Sequence, residues 1–125
     1  ALKRGEKLMK KTKMLKKNYE FKNVLSSGKY YSGNYIESFI RKNYKKNNML
    51  GIAISSKICK AVRRNAIKRL IRENYRLVEN EIELGYDIIF LWKKKASVEE
   101  ATYANIRKDM EKIMTKADML KKIEE

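Results

Sequence analysis

Two apolar runs bracket a helix-length basic segment, and this arrangement limits the fold more than any other feature of the chain. Residues 49–55 read MLGIAIS and residues 86–92 read YDIIFLW. Both are continuous rather than alternating, which marks strands covered on both faces. Between them, residues 57–76 read KICKAVRRNAIKRLIRENYR, with no Pro and no Gly. Most of these residues are good helix formers.

The flanking segments fill in the order. Asn18 predicts an N-cap for a helix over residues 18–27 that Gly28 closes, with Phe21, Val24 and Leu25 as its apolar stripe. Residues 29–42 are aromatic and β-branched, interrupted at Ser32-Gly33-Asn34, and predict one or two strands, the main one over 35–41. Residues 43–48 read as a polar turn, and residues 93–96 as a basic loop. Ser97 with Glu100 predicts a capping box for a last helix reaching at least Met114. The expected fold is a single-domain α+β sandwich, in the order α-β-β-β-α-β-α, with a sheet of four strands at most. Its expected boundaries are a basic tail over 1–17, a folded domain over 18–117, and a fraying end over 118–125. Met9 reads as a natural first residue.

Charge separates the chain into two parts. The net charge is +16, but residues 1–72 carry 21 basic and 3 acidic residues, whereas residues 73–125 carry 10 and 12. The partner-facing chemistry is therefore expected in the first part, and a polyanion is the simplest partner. Nucleic acid ranks first and an anionic membrane surface second. Residues 1–17 hold eight of the cations and predict a mobile, phosphate-attracting tail. A membrane helix there has only a thin apolar face in Leu2, Leu8, Met9, Met14 and Leu15.

On a helical wheel, with Arg64 at zero, Lys68, Arg72, Asn65, Arg76 and Arg69 fall between about 40° and 140°. Val62, Ala66, Ile67, Leu70, Ile71, Leu77 and Val78 fall between about 160° and 340° and predict the buried side. Like charges stack at i,i+4, an arrangement that costs the free helix and that a polyanion relieves. A plain solvated face is the blander reading. Asn65 adds an acceptor inside an arc of donors.

These residues carry a resemblance. Lys60-Ala61-Val62, Arg64-Asn65, Lys68-Arg69, Arg72-Glu73 and Arg76 resemble, in spacing as well as type, the signature helix of the bacterial ribonuclease P protein subunit. LKKNYEFKNVLSSGK resembles that family's opening helix, and the likeness extends over about residues 15–117. Three positions depart from the pattern. Ala66 stands where a second Arg is usual, Cys59 where Gly is usual, and Ser56 where Lys is common. The resemblance implies a left-handed crossover through the basic helix, whereas pattern alone favours a right-handed one.

The chain offers no catalytic set. It has no His and one cysteine, Cys59, which excludes a disulfide within the chain and an ordinary zinc site. No catalytic or metal-binding residue is expected, and a reducing cytoplasm fits. The resemblance implies a subunit of an endoribonuclease holoenzyme whose RNA performs the hydrolysis with Mg²⁺, held mainly by RNA. It implies ribonuclease P RNA and precursor tRNA as partners, with 5′ maturation of tRNA as the outcome. No membrane partner is expected, and the chain is expected to be monomeric without RNA. A ribosomal or general RNA-binding protein is the alternative, and a self-sufficient nuclease a further one.

Two sets of contact residues follow. Lys57, Lys60, Arg64, Asn65, Lys68, Arg69, Arg72 and Arg76 are expected to meet RNA. A groove for the 5′ leader needs an apolar floor for bases and cations at its rim. The resemblance places the Phe of the Glu-Phe pair, Phe21, in such a cleft, with Leu25 where a second Phe is frequent. Periodicity alone reads Phe21 as a core aromatic. The period of two sets Ile36 and Ser38 on one face of the strand, and these are expected on the groove side. Lys17, with Lys57 and Lys60, is expected at the rim. A register slip of one residue would put Phe39 in place of Ser38.

Overall fold

The structure, a computed structural model, describes residues 11–121. One sheet holds five strands: β1 (Thr12–Met14), β2 (Lys29–Ser32), β3 (Ile36–Lys42), β4 (Asn48–Ala53) and β5 (Tyr86–Trp92), in the spatial order β1-β4-β5-β3-β2. Three helices cover it: α1 (Asn18–Ser27), α2 (Ala61–Val78) and α3 (Tyr103–Lys116). β4 runs parallel to both β1 and β5, and the β2–β3 and β3–β5 pairs are antiparallel. α2 thus links two adjacent parallel strands, as the two apolar runs predict.

The expected four-stranded sheet is corrected to five. β1 lies inside the stretch expected as a tail, so the folded unit begins by Thr12 rather than residue 18. Backbone pairing holds it, with Thr12 beside Asn48 and Met14 beside Leu50. Its buried Thr12 hydroxyl lies 2.6 Å from the hydroxyl of Tyr75 on α2. Asn48 donates to that same Tyr75 oxygen and accepts the N–H of Tyr86. At the other end, Met119 is fully buried, Glu83 N–H donates to its carbonyl, and Lys121 N–H donates to Glu81. Residues 118–121 therefore pack back on the domain instead of fraying. The remainder of both expected tails, residues 1–10 and 122–125, lies outside the described residues.

Each face of the sheet has its own core. Toward α2 and α3, Ile36, Ile40, Leu50, Ile52, Ile88, Phe90 and Trp92 meet Ile67, Ile71, Tyr75, Ile106, Met110 and Ile113. Burying each large apolar side chain contributes about 1.5–3 kcal/mol before the entropy of ordering is counted. Toward α1, Leu15, Val24 and Ile89 are buried, with Phe21, Phe39, Met49 and Leu91 packed partly exposed around them. β5 is the strand common to both cores, which is why its sequence shows no alternation.

Local caps set the helix positions. Glu20 accepts the N–H of Lys17 at the start of α1, so the cap falls one residue before Asn18. Ser97 caps a single 3₁₀ turn, Val98–Glu100, and Thr102 caps α3 by accepting from Asn105. The expected capping box therefore belongs to the lead-in rather than to the helix itself. Inside the apolar stripe of α3 sits an acid. Asp109, buried, accepts the backbone N–H groups of Asn34, Tyr35 and Ile36 at 2.9, 2.6 and 2.9 Å, and so clamps the β2–β3 turn.

Candidate nucleic-acid interface

α2 buries Ile67, Ile71, Asn74, Tyr75 and Val78 against the sheet and α3, with Asn74 donating to the Tyr103 carbonyl of α3. That seam is narrower than the wheel predicts. Val62 is 84% exposed and Leu77 44%, and Ala66 is exposed as well, because the sheet and α3 cover only one side of the helix. An arginine at position 66 would therefore stand in solvent, next to Asn65 and Arg69, rather than on the buried side. Asn65 and Arg69 are exposed, and Lys68, Arg72 and Arg76 are half-buried.

Two arginines are fastened to the fold. Arg64 Nη1 donates to the Cys59 carbonyl at 2.7 Å, and Arg63 Nη2 donates to the Val98 carbonyl at 2.6 Å. Neither bond neutralises charge. Among the described residues, no cation of α2 lies within ion-pair distance of a carboxylate; the pairs present are Arg41–Asp87 and Arg107–Glu111. The buried Nε atoms of Arg72 and Arg76 have no partner among the described residues. Ahead of the helix, Lys57 and Lys60 are exposed, and no acid sits in the first turn. The exposed N–H groups of that turn and the positive end of its dipole add to the lysines rather than offset them. The result is a positive surface with the chemistry that phosphate oxygens require.

A second surface lies where α1 crosses the sheet. Phe21 packs closely on β4 because residue 51 is glycine: a Cβ there would fall 2.7 Å from the Phe21 ring and 3.1 Å from Leu15. Leu25 follows one turn later and is 37% exposed. Arg41 secures the far end of the helix. It pairs with Asp87 at 3.0 Å and donates to the Ser27 hydroxyl and the Asn23 carbonyl.

The groove assignment of Ile36 and Ser38 is corrected. Both are fully buried on the opposite face, toward α2 and α3. Ser38 pairs with Phe90 across the strands and donates its hydroxyl to the Ile89 carbonyl, so it serves as a small, satisfied neighbour beside a large ring. The alternation itself stands, but the faces are exchanged. Glu37 and Phe39 look toward α1, and one row across the sheet runs Gly51, Ile89, Phe39, Tyr30. Phe39 and Tyr30 form an aromatic pair with centroids 5.3 Å apart. Phe39, Leu91 and Ala53 are the part-exposed floor beside Phe21, and a depression lined by Tyr30, Glu37, Lys93, Lys94 and Lys95 closes that end. Phe39 and the three lysines are absent from the expected groove; the lysine run and the alternative register were their signals. Lys17 is also corrected. It stands at the start of α1 with Lys13, Lys16 and Glu20, on the flank away from Leu25.

The comparisons with known proteins agree with this geometry. A family model described as Ribonuclease P matches residues 9–118. The chain belongs to the ribonuclease P protein family. It is 36% identical over 110 residues to the ribonuclease P protein component of Clostridioides difficile, covering 87% of this chain and 95% of that one. It is 41% identical over 108 residues to the component of Fusobacterium nucleatum, covering 85% and 97%. Among solved structures, the Staphylococcus aureus RNase P protein superposes with a TM-score of 0.76 at 28% identity, covering 86% and 97%. The Thermotoga maritima RNase P protein gives 0.74 at 29%, covering 83% and 96%. This ribonuclease P protein is a subunit of the endoribonuclease that matures the 5′ end of tRNA. Among the described residues, no three acidic or thiol side chains gather as a metal site, and no helix is long and apolar enough to cross a membrane.

Proposed function

We propose that this subunit grips ribonuclease P RNA with the cationic face of α2 and holds the 5′ leader of precursor tRNA in the groove beside α1. The uncompensated charge of α2 carries the first part: Arg64, Asn65, Lys68, Arg69, Arg72 and Arg76 present donors with no carboxylate answering them among the described residues. Lys57 and Lys60 join this face to the groove, where Phe21, Leu25, Phe39 and Leu91 offer a floor that stacks on any base. Lys93, Lys94 and Lys95 follow the backbone of the strand.

Bond breaking in this reading belongs to the RNA subunit. Mg²⁺ held by that RNA would supply an activated water there, while this chain's cations lower the repulsion between two RNAs. The chain contains no His to serve as a general base, and Tyr75, whose pKa is raised by burial, is sealed in the core. The subunit acts as a monomer in the cytoplasm, and a left-handed β4–α2–β5 connection belongs to the same reading.

The test is precursor-tRNA cleavage at low Mg²⁺ with purified components. Protein plus RNA subunit should cleave at the 5′ boundary, the RNA subunit alone should cleave slowly, and the protein alone should not cleave. Equal rates with and without protein would overturn the proposal, and cleavage by RNA-free protein would assign the chemistry to this chain.

A further inference from the structure

The opposite flank of α1 carries a trough that neither the leader groove nor the α2 face uses. Three adjoining depressions make it. The first holds Lys13, Lys16 and Lys17 and shares Glu20 and Met49 with the second. The second contains Tyr19 and shares Lys45 with the third, where Tyr44 stands. Lysines and tyrosines thus recur along one path, whose wall also holds Glu20, Glu83 and Asp87, the last paired with Arg41.

Tyr44 is the unusual member. It is 89% exposed and its backbone lies in the left-handed region at φ 59°. A bulky side chain is rare there, and no internal packing offsets the strain. Nor is the loop loose. Asn43 N–H donates to the Gly85 carbonyl, its side chain donates to Asp87 and Asn47, and its side-chain oxygen accepts from Lys45 N–H. The ring is therefore held out in solvent by a fixed turn with Lys42, Lys45 and Lys46 around it. Tyr19, 59% exposed, presents a second ring with the Lys17 ammonium 5.7 Å from its centroid. Exposed rings interleaved with lysines match the needs of single-stranded nucleic acid: faces for bases and charges for the backbone.

We propose that this trough binds an unpaired stretch of the RNA subunit, with bases stacked on Tyr44 and Tyr19. The proposal rests on the reading of the chain as the partner of that RNA. Continuity selects the occupant. Lys13 adjoins Thr12, which is bonded to Tyr75, and Arg72 and Arg76 flank Tyr75 on α2. Lys13 therefore stands on the edge strand that packs against the turn of α2 carrying Arg72 and Arg76, whereas the leader groove lies across α1 from the trough.

The test is nucleotide-resolution chemical footprinting of the reconstituted holoenzyme, with wild type, Tyr44→Ala, Tyr44→Phe and Tyr44→Gly. A short unpaired segment of the RNA subunit should be protected by wild type and by Tyr44→Phe, and exposed with Tyr44→Ala and Tyr44→Gly. The affinity for the RNA subunit should fall at least about fivefold in the last two, the loss of one stacked base. Tyr44→Gly should melt no lower than wild type, since glycine accepts the positive φ, which separates lost binding from lost folding. Footprints identical in all four proteins would overturn the proposal, as would a Tyr44-dependent footprint confined to the precursor leader. No wild-type footprint anywhere on the RNA subunit would overturn the RNA-partner reading as well.

Discussion

On the face covered by α2 and α3, Ile36, Ile88, Phe90 and Ile113 are sealed from water; on the face crossed by α1, Phe21, Phe39, Met49 and Leu91 keep part of their surface open. The same strands supply both faces, so strand propensity is not the cause. Two helices with apolar stripes close one side, and a single ten-residue helix crosses the other. A sealed face contributes stability, while a half-covered face leaves apolar surface beside cations, the surface proposed above for the bases of the leader. The two faces should therefore answer differently to the same kind of truncation.

Phe90→Ala should be the most damaging change. It empties a fully buried site shared with Ile52 and Ser38, and should cost about 3–5 kcal/mol in urea unfolding. A loss below 1 kcal/mol would mean that this face is not tightly packed.

Gly51→Val tests the other face from beneath. Its side chain would displace the Phe21 ring, costing about 1–3 kcal/mol of stability by overpacking, and precursor tRNA should bind more weakly as well. Phe21→Ala removes the ring itself. Precursor tRNA should lose about 1–3 kcal/mol of binding, one stacked base, with mature tRNA almost unchanged. Equal losses for both RNAs would make Phe21 a core residue only and erase the distinction between the faces.

Tyr75→Phe should cost about 0.5–1.5 kcal/mol through the lost Thr12 bond. It also has a pH signature. Burial raises the Tyr75 pKa above 10.0, so above pH 10 the unfolded chain gives up a proton that the folded chain keeps. Stability from this group is complete below pH 10.0 and is lost as pH rises toward the folded-state pKa. Urea titrations across that window should show a shallower decline in the variant. Arg69→Ala should change stability by less than about 0.5 kcal/mol, yet reduce the slope of log affinity against log salt by about one counterion. An unchanged slope would mean that Arg69 touches no phosphate.

The parts legible in the sequence were those with a long-range apolar pattern. MLGIAIS and YDIIFLW announced β4 and β5, and the spacing of the arginines announced α2 and the family. β1 had no such signal. It is three residues in a lysine run, held by backbone pairing and one hydroxyl, and a Thr between lysines reads as tail. The alternation in IESFIRK was readable, but which face meets α1 was not, because register with β5 decides it through Ser38 opposite Phe90. Two Ile on one side and Phe39 on the other gave no clear preference. The wheel overstated the buried arc of α2 for a related reason: it shows which residues are apolar, not how wide a neighbour covers them. Asp109 was visible only as an acid at a core position of α3, with its partners more than seventy residues away.

That separation bears on the order of assembly. The turn at residues 34–36 has three backbone N–H groups whose acceptor is made only when residue 109 is added. On a ribosome adding about 5–20 residues per second, the hairpin waits several seconds for its clamp. Contacts of such range are formed against a large loop-closure entropy and belong to the late part of folding. The turn leading into the strand carrying Phe39 thus receives its clamp only after residue 109 has been made and α3 has docked.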